Sequence, residues 1–200
     1  MFTLAQVVPW GRSFDEYRRM FALSDDALRL RVVGCGDGPA SFNAEATRRG
    51  AKVVSCDPIY RYDVDQLRDR IDSTYDDVLE QTRRNADEFV WNAIRSVEEL
   101  GRLRMAAMTD FLGDYVAGKA QGRTTQLGEA FHHAAIREMC RVAAEVRIFP
   151  LLALGATPSP IVARVVEEFS GRGFSVSIED VAYEFQRGGN QMMRIHSPQL

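Results

Sequence analysis

Three glycines and one aspartate have the spacing that best suggests ligand chemistry in this chain. Gly34, Gly36 and Gly38 alternate directly after a short apolar stretch, and Asp57 closes the next one. Since glycine has no Cβ, the backbone can turn sharply there and approach a ligand closely. A carboxylate at the end of the following strand can accept hydrogen bonds from both hydroxyls of a ribose. The pattern therefore predicts a nucleoside-binding site. The alternative, that Asp57 only ends a strand, stays open.

A nicotinamide site is disfavoured by one residue of this turn. In the dinucleotide-binding pattern G-x-G-x-x-G, the third glycine would fall at position 39, which is Pro39. The chain keeps the spacing G-x-G-x-G instead. That arrangement suits a nucleoside with an amino-acid tail better than a pyrophosphate.

The elements that must position these residues are a strand, a helix and a second strand. Apolar residues predict strands over 28–33 and 51–57, and a helix over 41–49 that ends at Gly50. The three elements together fit the size of a βαβ unit, whose strands are parallel. The N-terminus of the helix, with its free N–H groups, then points at the glycine turn.

The rest of the chain predicts helices and a closing hairpin. We expect a helical N-terminal segment over 1–27, with a capping box from Ser13 to Glu16, and a helical insertion over 63–118. A further five elements follow: a loop over 118–125, a helix over 127–142, a strand over 146–152, a helix capped by Ser159, and a β-hairpin over 174–195 that turns at 186–190.

Composition bounds the class of protein. The 200 residues, 46% hydrophobic and 26% charged, suit a single domain over 1–200, and the net charge of −3 argues against a general nucleic-acid binder. The longest apolar run, 148–156, is too short to span a bilayer, which needs about 20 residues. Cys35, Cys56 and Cys140 form neither a disulfide framework nor a zinc pattern. We therefore expect a cytoplasmic protein without a metal site and without a membrane or nucleic-acid partner.

Taken together, the motif VVGCGDGP at 32–39, the strand that ends in Asp57 and the terminal hairpin resemble a class I S-adenosylmethionine-dependent methyltransferase. The stretches GDGPASFNAEATRRG, EVRIFPLLAL and YEFQRGGNQMMRI also resemble a bacterial subgroup of methyltransferase-like proteins of unassigned substrate. The resemblance implies an α/β, Rossmann-like fold with a mostly parallel central sheet, helices on both faces and a C-terminal β-hairpin. It also implies S-adenosylmethionine as cofactor, S-adenosylhomocysteine as product, and a small molecule or protein as methyl acceptor.

By that likeness, the turn holds the methionine part of the cofactor, Asp57 holds the ribose, and Pro58 and Ile59 flank the adenine. The cofactor-binding residues implied are Gly34, Cys35, Gly36, Asp37, Gly38, Asp57, Pro58 and Ile59.

Two features depart from the family pattern. The family carries an acidic residue two places before the first glycine, where this chain has Val32, and Asp37 is the carboxylate that could substitute. Only 118–126 lies where the family has its third and fourth strands, so a segment is missing. We expect the strand over 146–152 to lie beside the first strand in one sheet, with the strand order second, first, fifth, seventh, sixth. A homodimer would cover what stays exposed.

Other residues are weaker candidates. The turn at 186–190 would project from the ligand-binding edge of the sheet, so Arg187 and Asn190 could reach a substrate and Glu184 could accept a proton. The alternative is that this segment only makes the hairpin turn. Asp110 and Asp114 share one helical face, as an acid/base or metal pair or, more commonly, as a charged surface.

Two functions stay open at this point. One is a methyltransferase, whose catalysis depends mostly on alignment of the reactants and so needs few catalytic side chains. The other is a degenerate, non-catalytic module of the same fold that binds a nucleoside or a protein partner. The glycine turn with Asp57 favours the first, and the missing strands favour the second.

Overall fold

The computed structural model describes residues 8–126, 131–153 and 157–197, and it shows a mixed α/β chain. Its helices are α1 (Phe14–Met20), α2 (Asp25–Arg29), α3 (Phe42–Arg48), α4 (Val64–Arg84), α5 (Val97–Ala120), α6 (Phe131–Val142) and α7 (Ile161–Gly171). Its strands are β1 (Arg31–Cys35), β2 (Lys52–Asp57), β3 (Thr124–Gln126), β4 (Glu145–Ile148), β5 (Leu152–Ala153), β6 (Thr157–Pro158), β7 (Ser175–Asp180) and β8 (Gln191–His196).

A three-stranded parallel sheet contains the predicted βαβ unit. Its order is β1-β2-β3, and β1 lies in register with β2 so that Val33 pairs with Val54. The parallel unit predicted from the sequence is thereby confirmed. The first strand begins at Arg31 rather than at 28, because the Ser24 hydroxyl accepts a hydrogen bond from the Ala27 amide and caps helix α2 instead.

The third strand of this sheet falls where the sequence predicted a loop. Thr124–Gln126 pairs with the end of β2. The Asn43 side chain anchors it, donating from Nδ2 to the Arg123 carbonyl at 2.9 Å and to Ser55 Oγ at 3.1 Å. In return, the Arg123 guanidinium donates to Asn43 Oδ1 at 2.8 Å. Contacts distant in sequence therefore make a strand of a short polar segment.

A second sheet, β4-β8-β7, is antiparallel and separate from the first. The predicted terminal hairpin is confirmed, and so is the predicted place of the strand over 146–152 beside the last strand, because β4 pairs with β8. The prediction that this strand also lies beside β1 in one continuous sheet is wrong, because β4 is an edge strand of the second sheet and, among the described strands, β1 pairs with β2 alone. The strand also ends early, before Pro150, which has no amide hydrogen to continue a ladder. Val146 of β4 packs with Phe169 and Ile195 in the core of this half.

Caps explain most helix starts. The predicted capping box of Ser13 and Glu16 is confirmed, and a second box joins Asp63 to Gln66 at the start of α4. Ser159 does not cap α7 as predicted, since Pro160 holds the cap position and makes no side-chain cap bond. The helical insertion over 63–118 is broken between α4 and α5 by a non-helical stretch over 89–96.

The predicted start of α6 at 127 lies outside the described residues. Among the helices that the structure describes, none has the length and apolarity needed to cross a membrane.

Candidate functional site

The glycine turn joins β1 to the segment before α3. Gly36 and Gly38 have φ angles of +77° and +57°, in the left-handed region that favours glycine. The Gly36 amide donates to the Cys56 carbonyl at 2.8 Å, which holds the turn against β2. A Cβ placed on Gly36 or Gly38 would meet no heavy atom within 4 Å. These two glycines therefore leave open space beside a sharply bent backbone.

Gly34 has a different role in the turn. A Cβ at this position would lie 2.0 Å from Asp37 Oδ2, so the missing side chain makes room for the Asp37 carboxylate. The Tyr17 hydroxyl of α1 donates to Asp37 Oδ1 at 3.2 Å. Burial raises the pKa of Asp37 to about 6; the nearby Asp57 charge raises it too, while hydrogen bonds from Ser55 and Tyr17 oppose the rise.

Asp57 points at the glycine turn from the end of β2. Its Oδ2 accepts a hydrogen bond from the Gly38 amide at 2.8 Å, and its Oδ1 accepts one from the Ile59 amide at 2.8 Å. The side chain is only 7% exposed. The acid and the turn are thus brought together, as their spacing predicted, and they touch directly. Oδ2 can accept a second hydrogen bond, so a ribose hydroxyl that reaches it shares this oxygen with the Gly38 amide or displaces that amide.

Two tyrosines hold this arrangement closed. The Tyr60 hydroxyl donates to the Gly38 carbonyl at 2.7 Å, and the Tyr115 hydroxyl donates to the Tyr60 carbonyl at 2.9 Å. Burial raises the pKa of Tyr60 well above its usual value. Ile59, expected beside an adenine, packs its side chain into a buried cluster with Tyr60 and Phe111, next to Pro58.

The contacts of Tyr60 and Tyr17 with the turn were not predicted from the sequence. A tyrosine on the apolar face of a helix indicates core packing, so nothing in the local pattern distinguished Tyr17 as a partner of Asp37.

Cys35 and Cys56 are free thiols that face each other across β1 and β2. A hydrogen bond between the two thiols raises the pKa of Cys35 and lowers that of Cys56, while burial raises both. Cys35, predicted to line the cofactor, therefore has its side chain engaged by a neighbouring strand.

The hairpin-loop candidates contact a different part of the chain. The Arg187 amide donates to the Glu88 carbonyl at 2.8 Å, and the Arg187 guanidinium donates to the Asp87 carbonyl at 3.1 Å. Glu184 accepts from the Gly188 amide at 2.8 Å, and the Asn190 carbonyl accepts from the Val181 amide at 2.8 Å. These contacts fasten the loop to itself and to the turn after α4, whereas Asp57 contacts the glycine turn.

Asp110 and Asp114 each form an ion pair with an arginine. Asp110 Oδ2 lies 2.7 Å from Arg48 Nη2, and Asp114 Oδ2 lies 2.7 Å from Arg123 Nη1. Both carboxylates therefore face arginines that tie α5 to α3 and to the segment before β3.

Comparison with known proteins adds one relative. No family model matches the chain, and no solved structure matches it. An uncharacterized protein of Methanocaldococcus jannaschii is 28% identical over 220 residues, which cover 96% of this chain and 97% of the relative. Because 220 exceeds the 200 residues of this chain, the alignment includes positions of the relative with no counterpart here. The similarity extends over nearly the whole of both chains, and it indicates no activity because the relative is uncharacterized.

Proposed function

We propose that this chain binds S-adenosylmethionine between the glycine turn and Asp57 and transfers its methyl group to a small molecule or a protein. The observation that carries the proposal is the 2.8 Å contact between Asp57 Oδ2 and the Gly38 amide. It puts an acid and a glycine-rich turn together at the carboxyl ends of two adjacent parallel strands, which is where α/β sheets bind nucleosides. A Rossmann-like fold is part of the same proposal.

The residues present fit such a cofactor. The open space beside Gly36 and Gly38 is what a Cβ would otherwise fill, and a buried carboxylate faces it. When bound, the cofactor supplies an electrophilic methyl group. Gly34 does not belong to this surface, because the Asp37 carboxylate lies against it.

The chain's own residues then have distinct roles. The Ile59 amide holds Oδ1 of Asp57 at 2.8 Å and so fixes the direction of the carboxylate. Oδ2 is the oxygen that exchanges the Gly38 amide for a ribose hydroxyl. Asp37, beside the turn, is the acid that would meet the ammonium group, in place of the residue that the resemblance expected at Val32. Alignment by these contacts is the main contribution that methyl transfer needs from a protein.

A degenerate, non-catalytic module is the second candidate, and the closed turn favours it. The Gly38 amide already donates to Asp57, and the Gly38 carbonyl already accepts from Tyr60, so both backbone groups of this glycine have partners. Such a module would act through a protein partner or a second copy of this chain. The exposed Val33 on β1, 55% accessible, lies where a second copy would be expected to pack.

Isothermal titration calorimetry with S-adenosylmethionine, S-adenosylhomocysteine and NAD separates these functions. The proposal expects the first two to bind with micromolar affinity, near −8 kcal/mol, and NAD to bind far more weakly. If neither the sulfonium nor the thioether compound binds, the enzyme proposal is wrong and the degenerate module stands. Tight binding of NAD alone would contradict both.

A further inference from the structure

A cavity of about 190 Å³ lies between the N-terminal segment, α4, α5 and the hairpin loop. Five aromatic side chains line it: Trp10, Phe89, Phe149, Tyr183 and Phe185. A cavity of about 150 Å³ in another protein holds benzene, so this space matches a molecule with one ring. Flat aromatic walls favour a ring through stacked or edge-on contacts.

Two guanidinium groups also line this apolar space. Arg104 is 1% exposed, and its Nη1 donates to Glu16 Oε2 at 2.6 Å. The Nε atoms of Arg12 and Arg104 are both buried, and neither finds a hydrogen-bond partner among the described residues. A buried charged donor without an acceptor is costly, so two of them beside one cavity indicate that an acceptor belongs there.

The balance of charge narrows the class of acceptor. Glu16 offsets one of the two positive charges, and Tyr183 donates to its other oxygen at 3.0 Å, so Glu16 is already committed. Arginine recognises planar anions such as carboxylates with paired N–H groups. Glu88 also lies in the wall, and its charge would repel such an anion. Binding should therefore respond in opposite directions to loss of Arg12 and loss of Glu88.

Two neighbouring residues of α1 contact the glycine turn and the cavity wall, respectively. Tyr17 contacts Asp37 at the turn, while Glu16 contacts Arg104 at the cavity. No residue of the glycine turn lines the cavity, so a ligand there needs no contact with the turn, and its binding does not depend on the cofactor proposal.

We propose that this cavity is a binding site for a small carboxylate with a single aromatic ring. The ring lies among Trp10, Phe149 and Phe185, and the carboxylate accepts hydrogen bonds from the guanidinium groups of Arg12 and Arg104.

Calorimetric titration with benzoate at neutral pH, without other ligands, tests the site. Benzamide has the same shape without the charge, and acetate has the charge without the ring. We expect benzoate to bind with a Kd below about 1 mM, and the other two at least about tenfold more weakly, since both the ring and the charged hydrogen bonds contribute. Equal binding of benzamide and benzoate, or no binding of benzoate, overturns the proposal.

Variants locate the binding. Arg12→Met should weaken benzoate binding about tenfold or more, and Glu88→Gln should strengthen it. Val78→Phe should abolish binding, because the larger side chain would occupy the cavity. Arg102→Met, on the exposed face of α5, is the matched control and should change nothing. Arg104 is not substituted in this test, because its loss would leave the buried Glu16 carboxylate without its ion-pair partner. Each variant is first checked for cooperative thermal unfolding.

An equal effect of Arg102→Met and Arg12→Met, or unchanged binding in a folded Val78→Phe variant, places benzoate elsewhere and overturns the site. Since the titration omits S-adenosylmethionine, failure here leaves the cofactor result unaffected, and failure of the cofactor leaves this one unaffected.

Discussion

The carboxylate of Asp57 and the amide of Gly38 are joined by a hydrogen bond of 2.8 Å that closes the glycine turn onto the end of β2. The two groups that the sequence predicted on opposite sides of a ligand are therefore each other's partners. In our proposal a ribose hydroxyl displaces the Gly38 amide from Oδ2, so the affinity for a nucleoside is what remains after that exchange. The same contact satisfies a carboxylate that is only 7% exposed at the carboxyl end of β2, the central strand of its sheet.

The first prediction concerns Gly34 and Asp37. Gly34→Ala should destabilise the protein by about 1–3 kcal/mol, because the new Cβ would lie 2.0 Å from Asp37 Oδ2 and force a buried carboxylate to move. In an Asp37→Ala background the same change should cost less than about 0.5 kcal/mol. Urea unfolding of the four proteins measures both costs. An equal cost in the two backgrounds would show that Asp37 is not what Gly34 accommodates.

The second prediction is a pH dependence set by Asp37. Its pKa is about 6 in the folded protein and 3.8 in an unperturbed aspartate, so the folded state holds this proton more tightly. The stability that the proton contributes is fully present below pH 3.8 and is lost as the pH rises through about 6. The loss is about 3 kcal/mol, since one pKa unit corresponds to about 1.4 kcal/mol.

Asp37→Asn should therefore be more stable than the parent by about 1–3 kcal/mol at pH 8, and the difference should shrink towards pH 4. Urea midpoints across this range provide the measurement. Asp26→Asn, an exposed position with a side chain 86% accessible, is the control. A difference for Asp37→Asn that stays constant with pH would be incompatible with a raised pKa.

The third prediction concerns the buried pair of Glu16 and Arg104. Burial alone would raise the pKa of Glu16, but the Arg104 charge and hydrogen bonds from Arg104 and the Ser13 amide lower it to about 2. Arg104→Met should cost about 3–5 kcal/mol because it leaves a buried carboxylate without its counter-charge. Adding Glu16→Leu should recover part of that loss. Denaturant unfolding of the single and double variants tests this, and strictly additive losses would mean that the two residues do not interact.

The fourth prediction concerns the role of Asp57 in ligand binding. Asp57→Asn keeps one acceptor oxygen but removes the charge, so it should weaken S-adenosylhomocysteine binding by roughly 1–3 kcal/mol. Asp65→Asn is the matched control and should bind like the parent. Asp65 lies on the exposed face of α4, where it forms an ion pair with Arg68. Calorimetry gives both affinities. Unchanged affinity in a folded Asp57→Asn variant would remove Asp57 from the site.

Local patterns predicted the parts of this fold that depend on neighbouring residues. The apolar runs around Gly34 and before Asp57, with a helix between them, were enough to predict parallel strands. Thr124–Gln126 could not be predicted as a strand, because its three polar residues pair with β2 through contacts with Asn43 and Ser55 far away in sequence. The separation of the sheet β1-β2-β3 from the sheet β4-β8-β7 was missed, because nothing in the apolar pattern of β4 indicates that it ends at the edge of its own sheet instead of lying beside β1.

The candidate site shows the same division between local and distant information. Spacing alone predicted that Asp57 would face the turn, and its role towards a ligand stays a prediction. The contacts of Tyr17 and Tyr60 with the turn depend on tertiary packing. Arg104 carried no signal either, because an arginine in a helix is usually exposed, and its partner Glu16 lies 88 residues away in sequence.

The central claim is tested most directly by the backbone amide signal of Gly38 in a ¹H–¹⁵N NMR spectrum during titration with S-adenosylhomocysteine. If a ribose hydroxyl replaces this amide on Asp57, the Gly38 signal should shift strongly and saturate at the same ligand concentration as the calorimetric isotherm. The amide of Ile59, which keeps its bond to Oδ1, should shift less. A Gly38 signal that stays in place at saturating ligand would contradict the account.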